Sequence, residues 1–373
     1  MKKTILFGLL LIFAILLKAE SPIITKWNTN INNDGSTQIM IPVFGSYNYT
    51  YTKVGDASIM GNGNGGSLGT FTSKIITFPS VGEYIVKISP IAMFKFNFLS
   101  PSSNFRNKLT ELQQWGTVSW IPDLSYLFYE CKNLKITATD IPDFSNVTNM
   151  YHMFYFCESL TTIPSANSWN TGSVSNMYGM FRDAISFNQD IGNWDTHNVT
   201  NMATMFVNAY VFNKNIGSWN TGKVTSMLQM FGNAKSFNQN IGAWNTSNVT
   251  DMQAMFSGAT AYNQIMGNWN TGKVTTMYGM FSNALAFNHD IGNWNTSNVT
   301  SMLVMFRDAK AFDQNIGKWP LKIGVDLTNL FTSSGMSCEN YSRTLKGWAE
   351  NNITPNNINV STGCKIRTCR ANT

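Results

Sequence analysis

The chain has 373 residues, a formal net charge of +6, and only 12% charged residues against 43% hydrophobic ones. This composition excludes a disordered polyampholyte, and three histidines leave few imidazoles for general-base or zinc chemistry. Asn and Thr, rather than Lys and Arg, fill most polar positions, so a nucleic-acid-binding protein with a dense basic face is not expected either.

Residues 1–19 have the pattern of a secretory signal peptide. Lys2 and Lys3 precede an apolar run from Ile5 to Leu17, and Ala19 supplies the small residue before the expected cleavage point. The run is shorter than the roughly 20 residues of a membrane-spanning helix. The sequence therefore predicts a protein that is secreted, or exposed at the cell surface, and that has no membrane span.

Residues 20–104 contain extended stretches that are separated by turn-forming segments. Strand-like runs occur at 38–43, 47–51 and 82–88. Short strands with turn signals between them are typical of a small β-sandwich, so we expect one here. The glycine-rich segment 61–69 is expected to form a hairpin tip within it.

From residue 166 onwards the chain is built from 25-residue repeats, and alternate repeats are more similar to each other than neighbouring ones. Seven tryptophans share the spacing: Trp169, Trp194, Trp219, Trp244, Trp269, Trp294 and Trp319. In one unit, 192–196 has the pattern of a short strand, and the apolar residues of 202–209 have the spacing of one helix face. A single unit cannot bury these residues, but stacked copies can. The sequence therefore predicts an α/β repeat solenoid of 25-residue coils with short parallel strands and short helical segments.

Irregular coils precede the regular array, and a different segment follows it. Over 105–165 the apolar pairs that mark each coil are 26 and 27 residues apart instead of 25. The regular array covers 166–335. We expect 336–373 to close the open end of the array, as a terminal cap must.

Five cysteines in a secreted chain imply disulfides where the geometry permits them. Cys338 and Cys364 flank the C-terminal segment and are the preferred pair, with Cys369 left over. Cys131 and Cys157 occupy the same place in adjacent coils, and a separation of about 4.8 Å between strands would allow a bond. Two buried free thiols fit these positions equally well.

The repeated Met and Trp columns are expected in the core. Met next to Phe in every unit is typical of a deformable core filler rather than of a soft metal ligand. The aspartates are scattered across columns, which excludes a calcium-binding repeat. We therefore expect neither a metal nor another cofactor, and we expect the tryptophans to be buried instead of forming a sugar-stacking platform.

The candidate ligand-binding residues are the polar side chains beside each tryptophan, which should point outward from the strands. They are Asn193, Asp195, Asn220, Asn245, Asn268, Asn270, Asn293 and Asn295. A row of equivalent weak contacts can bind a polymeric ligand through avidity, without a deep pocket. We expect members of this row to hydrogen-bond from coil to coil, as we do for a second column. That second column is Asn188, Asn213, Asn238, Asn263 and Asn288.

The repeat unit resembles that of the BspA-like leucine-rich-repeat surface proteins of bacteria. The resemblance lies in segments 187–196, 198–202 and 205–206, and in the irregular coil 153–164. The start of the chain resembles the PKD-like sandwich that precedes such repeats, although 54–57 lacks the usual Trp-Gly-Asp-Gly. The resemblance implies a leucine-rich-repeat-like fold and a surface protein that binds host or neighbouring-cell components, with no enzymatic activity.

We expect a non-enzymatic adhesion or recognition protein that binds host, matrix or cell-surface components multivalently. Its partners would be extracellular proteins or glycans. A purely structural spacer is one alternative, and a secreted glycan hydrolase is another. The hydrolase would need two carboxylates in one groove, and Glu is absent from 159–338.

Overall fold

A computed structural model describes residues 21–31 and 33–350. The predicted signal peptide at 1–19 lies outside the described residues, and so does the chain beyond 350 with Cys364 and Cys369. The described part begins with a β-sheet, continues through the repeat units and ends in a helix. No helix in this part is both long and apolar enough to cross a lipid bilayer.

The first part of the chain forms one mixed sheet of seven strands. They are β1 (Ile23–Asn28), β2 (Gln38–Lys53), β3 (Asp56–Thr77), β4 (Glu83–Pro90), β5 (Lys95–Phe96), β6 (Leu109–Gln114) and β7 (Lys135–Ile136). The order is β3-β2-β4-β1-β6-β7, with β5 paired to β2. Only β6 and β7 run parallel; the other pairs are antiparallel. The predicted β-sandwich is therefore wrong, because one open sheet extends past residue 104 and joins the first repeat unit.

The hairpin of β2 and β3 depends on glycines that face tyrosines. The cross-strand pairs are Tyr47–Gly65, Tyr49–Gly63 and Tyr51–Gly61. A Cβ atom at any of these glycines would stand 2.6 Å or less from the tyrosine hydroxyl oxygen. Glycine therefore leaves the room that the rings occupy, and the segment expected at a hairpin tip lies inside β3 instead.

Helices are few in the described part of the chain. They are α1 (Ser103–Arg106), a 3₁₀ turn (Ala166–Ser168) and α2 (Cys338–Glu350). The regular structure of the described residues is mostly sheet, with only 6% helix, and apart from β7 and the 3₁₀ turn the repeat units consist of turns and isolated bridges. The predicted α/β repeat solenoid is therefore wrong: neither the strand expected at 192–196 nor the helix expected at 202–209 forms.

Left-handed residues interrupt the helix predicted in each unit. In the unit at 202–209, Thr204 and Asn208 both have a φ of 57°. An α-helix needs right-handed dihedrals throughout, so the chain makes tight turns instead. One of them is closed by Met205 N donating to Met202 O over 3.3 Å. The second left-handed position is usually Asn, Asp or Gly, which tolerate this conformation: Asp183, Asn208, Asn233, Gly258, Asn283 and Asp308.

The amides of these turns bond to the next unit. Thr204 N donates to Leu228 O (2.7 Å), and Asn208 N donates to Gly232 O (2.8 Å). Isolated parallel bridges join the same units, in a series that runs from the Asp123–Asn149 pair to the Ser301–Asp326 pair. Successive units therefore contact one another in parallel register. We call residues 121–335 the repeat stack.

Aromatic columns fill the core of the repeat stack. Neighbouring Trp rings in the column lie 5.8–6.4 Å apart where they stack. Every indole of the column except that of Trp169 also donates to the preceding unit, as Trp244 Nε1 does to Ile216 O over 3.1 Å. The seven tryptophans are only 0–4% exposed, which confirms that this column is core.

Helix α2 covers the last unit of the repeat stack. Trp348 is buried, and its Nε1 donates to Ile316 O over 3.0 Å, the same kind of contact that the column tryptophans make. Asn340 Nδ2 donates to the backbone oxygen of Asp313 at 2.9 Å and to its Oδ1 at 3.0 Å. Helix α2 thus donates hydrogen bonds to acceptors of the last unit that a further unit would otherwise bond.

Candidate binding surface

The eight candidate ligand-binding residues are all exposed, on either side of the buried tryptophan column. Because the units are in parallel register, these side chains recur from unit to unit along the repeat stack. We call them the polar row: Asn193, Asp195, Asn220, Asn245, Asn268, Asn270, Asn293 and Asn295.

One column of the polar row stabilises turns within its own unit. Asn220 Oδ1 accepts from Gly222 N (3.0 Å), and Asn245 Oδ1 accepts from Ser247 N (3.0 Å). A side-chain oxygen that bonds the backbone two residues further on makes an Asx-turn. The expected coil-to-coil bonding of this column is therefore wrong. Its oxygens serve turns, and the amide nitrogens of these two residues make no hydrogen bond within the described part of the chain.

The other column of the polar row is less engaged. The side chains of Asn193, Asn268 and Asn293 are exposed and make no hydrogen bond to any described residue. An amide group offers two donors and an acceptor, so each of these residues keeps its full capacity for a ligand.

Asp195 is the single acid of the polar row. Its Oδ1 accepts from the backbone N of His197 (3.1 Å) and lies 2.7 Å from His197 Nδ1. These hydrogen bonds hold the pKa of Asp195 below its usual range. The row therefore carries one negative charge among uncharged amides.

The second Asn column holds the units in register, as predicted. Asn213 N donates to Asn188 Oδ1 over 3.0 Å, and the contact repeats in each following unit up to Asp313. The neighbouring glutamines add bonds to the same acceptors, as Gln239 Nε2 does to Asn213 Oδ1 (2.8 Å). The side-chain oxygens of this column are therefore engaged between units.

The closer similarity of alternate units has a structural cause. Asn198 Nδ2 donates to Gly172 O (2.8 Å), and Asn198 Oδ1 accepts from Lys223 Nζ (2.7 Å). Asn248 and Lys273 make the same contacts two units later. At this position Asn in one unit therefore bonds Lys in the next unit, so the residue types alternate and the sequence repeats most closely every two units.

The irregular units carry a cluster of tyrosines that the sequence analysis did not single out. Ring centroids lie 4.9 Å apart for Tyr129 and Tyr155, and 5.0 Å apart for Tyr151 and Tyr178, with nearly parallel planes. Tyr126 completes the cluster, and all five side chains are partly exposed. We call them the tyrosine patch. In the sequence, the recurring Phe-Tyr dipeptides at 128–129 and 154–155 are the feature that could have indicated this cluster.

Cations and a neutral histidine border the tyrosine patch. The guanidinium of Arg106 lies 5.5 Å from the Tyr129 ring centroid, and that of Arg182 lies 5.9 Å from Tyr155. Burial and the charge of Arg182 lower the pKa of His152 to about 4, so its imidazole is neutral near pH 7. Tyr and Arg are the residues most enriched at binding hot spots, which makes the patch a second candidate surface.

The two cysteines of the irregular units are buried, unreactive thiols. Cys131 and Cys157 are buried and free, so the structure contains the free-thiol alternative and not the disulfide. Burial raises the pKa of both thiols, which keeps them protonated. Of the predicted Cys338–Cys364 pair, Cys364 lies outside the described residues.

The described residues contain no group of three His, Cys, Asp or Glu that could hold a metal ion. The polar row and the tyrosine patch instead offer amides, phenol hydroxyls and ring edges at the surface. Such groups bind partners through hydrogen bonds and apolar contacts.

The fold and these surfaces define a class of protein: stacked 25-residue units, joined to a mixed sheet, with polar side chains that recur along one side. The sequence of the repeat stack matches, twice, the family described as "Mycoplasma protein of unknown function, DUF285", at residues 122–244 and 225–348. Together the two matches span more than half of the chain, and the chain belongs to this family. No curated protein and no solved structure was found to be similar to it. The resemblance to BspA-like proteins stays a prediction.

Proposed function

We propose that this chain is a secreted or surface-exposed adhesion or recognition protein, without enzymatic activity, that binds an extracellular protein or glycan. The polar row is the proposed binding surface. The observation that carries the proposal is that the side chains of Asn193, Asn268 and Asn293 are exposed and make no hydrogen bond to any described residue.

Binding would be multivalent. A net hydrogen bond contributes only about 0.5–1.5 kcal/mol, so one amide holds a ligand weakly. An extended polymer that lies along the repeat stack meets at least one residue of the polar row in each unit from 193 to 295, although Ser218 and Ala243 interrupt the column of Asn193, Asn268 and Asn293. The second and later contacts form at a high effective concentration. Affinity then grows with the number of units engaged.

The chemistry of the row supports binding over hydrolysis. Glycoside hydrolysis needs two carboxyl groups that flank the scissile bond. Asp195 is alone, since the equivalent places in the later units carry Asn220, Asn245, Asn270 and Asn295. Amides in these places can hydrogen-bond a ligand and orient it. They cannot act as the general acid or base that hydrolysis needs.

The proposal is tested on an array of glycans and extracellular matrix proteins. The wild-type protein is compared with a variant in which Asn193, Asn268 and Asn293 are all changed to Ala. None of these side chains holds a turn, so the variant should keep the fold. If each of two or more lost contacts contributes about 1 kcal/mol, binding should weaken by more than tenfold.

The matched control changes Asn104 and Asn146 to Ala, because both are exposed and lie away from the polar row. It should bind as the wild type does. If the folded triple variant keeps full binding, the site is elsewhere, and the tyrosine patch is tested next. If the wild-type protein binds nothing on the array, the structural-spacer alternative is favoured.

A further inference from the structure

Strand β3 forms an open edge of the sheet. It is 22 residues long and pairs only with β2 among the strands that the structure describes. The opposite edge is different, because β7 lies in the first unit of the repeat stack and the second unit packs next to it. Ser159 N of the second unit donates to Lys132 O of the first unit over 2.9 Å. The sheet is therefore covered at one edge and uncovered at the other.

The first half of the open edge lacks the charges, prolines and covering element that usually prevent strand pairing. Residues 57–73 include no charged residue and no proline, and Met60 is 65% exposed. Native edge strands are normally protected by charges, by proline, by a covering element or by a bulge. An uncovered and uncharged edge presents free backbone donors and acceptors to another strand.

A bulge and a lysine restrict pairing to the first half of β3. The ladder to β2 jumps from Phe71 to Ser67, which leaves 68–70 outside it. Beyond the bulge, Lys74 stands in the middle of the edge, and antiparallel self-pairing there would bring two lysines together. A second register shift, between Met60 and Asp56, leaves 57–59 outside the ladder as well. Residues 60–67 carry no charge and form the accessible part of the edge.

The residues of this segment are suited to a second copy of themselves. Asn62 and Asn64 are exposed, point away from the tyrosine-covered face, and make no hydrogen bond within the described part. In an antiparallel pair centred on Gly63, Asn62 of one copy stands opposite Asn64 of the other. Asn side chains in such positions can pair across strands. Gly61 then stands opposite Gly65, and Asp56 lies beyond the paired segment.

We propose that β3 pairs antiparallel with β3 of a second copy of this chain, about Gly63, so that two sheets become one across a dimer. The paired segment is 60–66 in each copy, which lies between the two register shifts of β3. Its small side chains bury less surface than a stable interface of standard size does, so the dimer is weak and depends on concentration. This inference is independent of the proposed ligand binding.

The first test is the oligomeric state of the purified protein. Sedimentation equilibrium at increasing concentration should show a monomer–dimer equilibrium. A variant with Asn62→Lys and Asn64→Lys places like charges opposite each other twice and should dissociate roughly tenfold more readily. The same two lysines at Asn104 and Asn146, which lie off the sheet edge, should leave the equilibrium unchanged.

A charge swap then tests the register. A second variant carries Asn62→Asp and Asn64→Asp, and it should also dimerise less well than the wild type. Mixed with the lysine variant, it should form a heterodimer, because each Lys then stands opposite an Asp. Circular dichroism and melting of each variant check that the sheet is intact.

The proposal is overturned if the wild-type protein stays monomeric at every concentration, or if the lysine variant dimerises as strongly as the wild type. Failure of the mixture to associate, with both variants folded, rejects the register about Gly63. A wild-type readout needs no variant: backbone amides of 60–66 should exchange hydrogen more slowly as concentration rises. Unchanged exchange there would reject pairing through this edge.

Discussion

At the scale of single residues, the tryptophan column combines packing with a hydrogen bond. Trp244 is 4% exposed, and its indole N–H satisfies the carbonyl of Ile216 in the preceding unit. Removing the side chain would leave a cavity and a buried carbonyl without its donor, and both effects reduce stability.

We expect Trp244→Ala to lower the free energy of unfolding by about 3–5 kcal/mol. Urea denaturation followed by circular dichroism measures the change. A control at exposed Tyr278, changed to Ala, should cost much less because its ring is 39% exposed. A loss for Trp244→Ala no larger than that of the control would mean that the column contributes little to the core.

His152 should make stability depend on pH. Its pKa is about 4 in the folded protein and about 6.5 when unfolded, so the unfolded chain binds a proton that the folded protein does not. Stability is then fully present above pH 6.5 and is lost as pH falls towards 4. Because the side chain is only half-buried, we expect a loss on the order of 1 kcal/mol.

The measurement compares unfolding at pH 7 and pH 4.5 for the wild type and for His152→Asn. Asn is chosen because His152 has a φ of 52°, which Asn tolerates. The variant should lose less stability on acidification than the wild type. Equal losses in both proteins would show that other groups cause the acid sensitivity.

The sequence predicted which residues are buried better than it predicted their backbone. Recurrence once in every unit identified the Trp and Met columns as core, because a column of identical apolar residues packs against itself. The spacing of Met202, Met205 and Phe206 fits a helix face and also fits consecutive turns, so it could not separate the two. The left-handed conformation of Asn208 rules out the helix and leaves the turns. In the sequence, the only indication of this conformation is that the residue is Asn.

At the scale of elements, the β2–β3 hairpin is an example of a glycine requirement that sequence alone concealed. A run of alternating Gly and Asn predicts a flexible loop, since glycine weakens strands. The structure shows why it is a strand: the rings of Tyr47, Tyr49 and Tyr51 take the space that side chains at the opposite glycines would fill. The partner tyrosines lie on the preceding strand, and their register could not be read locally.

We expect Gly63→Ala to destabilise the sheet by about 1–3 kcal/mol, because the new Cβ would stand 2.6 Å from the Tyr49 hydroxyl oxygen. A double-mutant cycle with Tyr49→Val tests the cause. Without the ring, the alanine should cost much less, so the two changes should not be additive. Additive losses would show that the alanine acts through the backbone and not through the ring.

At the scale of the whole molecule, the polar row couples binding to structure. Its Asx-turn column stabilises each unit from within, while the side chains of Asn193, Asn268 and Asn293 in its other column make no hydrogen bond to the described residues. The sequence located both columns at the surface but could not tell them apart, because the same residue type performs both roles.

Changing Asp195, Asn220, Asn245 and Asn270 to Ala together should weaken ligand binding far more than any one of the changes, because each unit supplies one of several equivalent contacts. The variant also loses four turn-stabilising acceptors, so its melting temperature should fall as well. Binding is therefore compared at a temperature where both proteins are folded. If one single change abolished binding, the site would be a local pocket rather than a row.

The alternation of Asn and Lys along the repeat stack also limits how such a gene can grow or shrink. Deleting one unit would bring Lys next to Lys, or Asn next to Asn, at the position where Asn198 now accepts from Lys223. Deleting or duplicating a pair of units would preserve that contact at the new junction. Unequal recombination by pairs of units therefore keeps this exposed contact at the junction, whereas a step of one unit loses it unless a second substitution restores it.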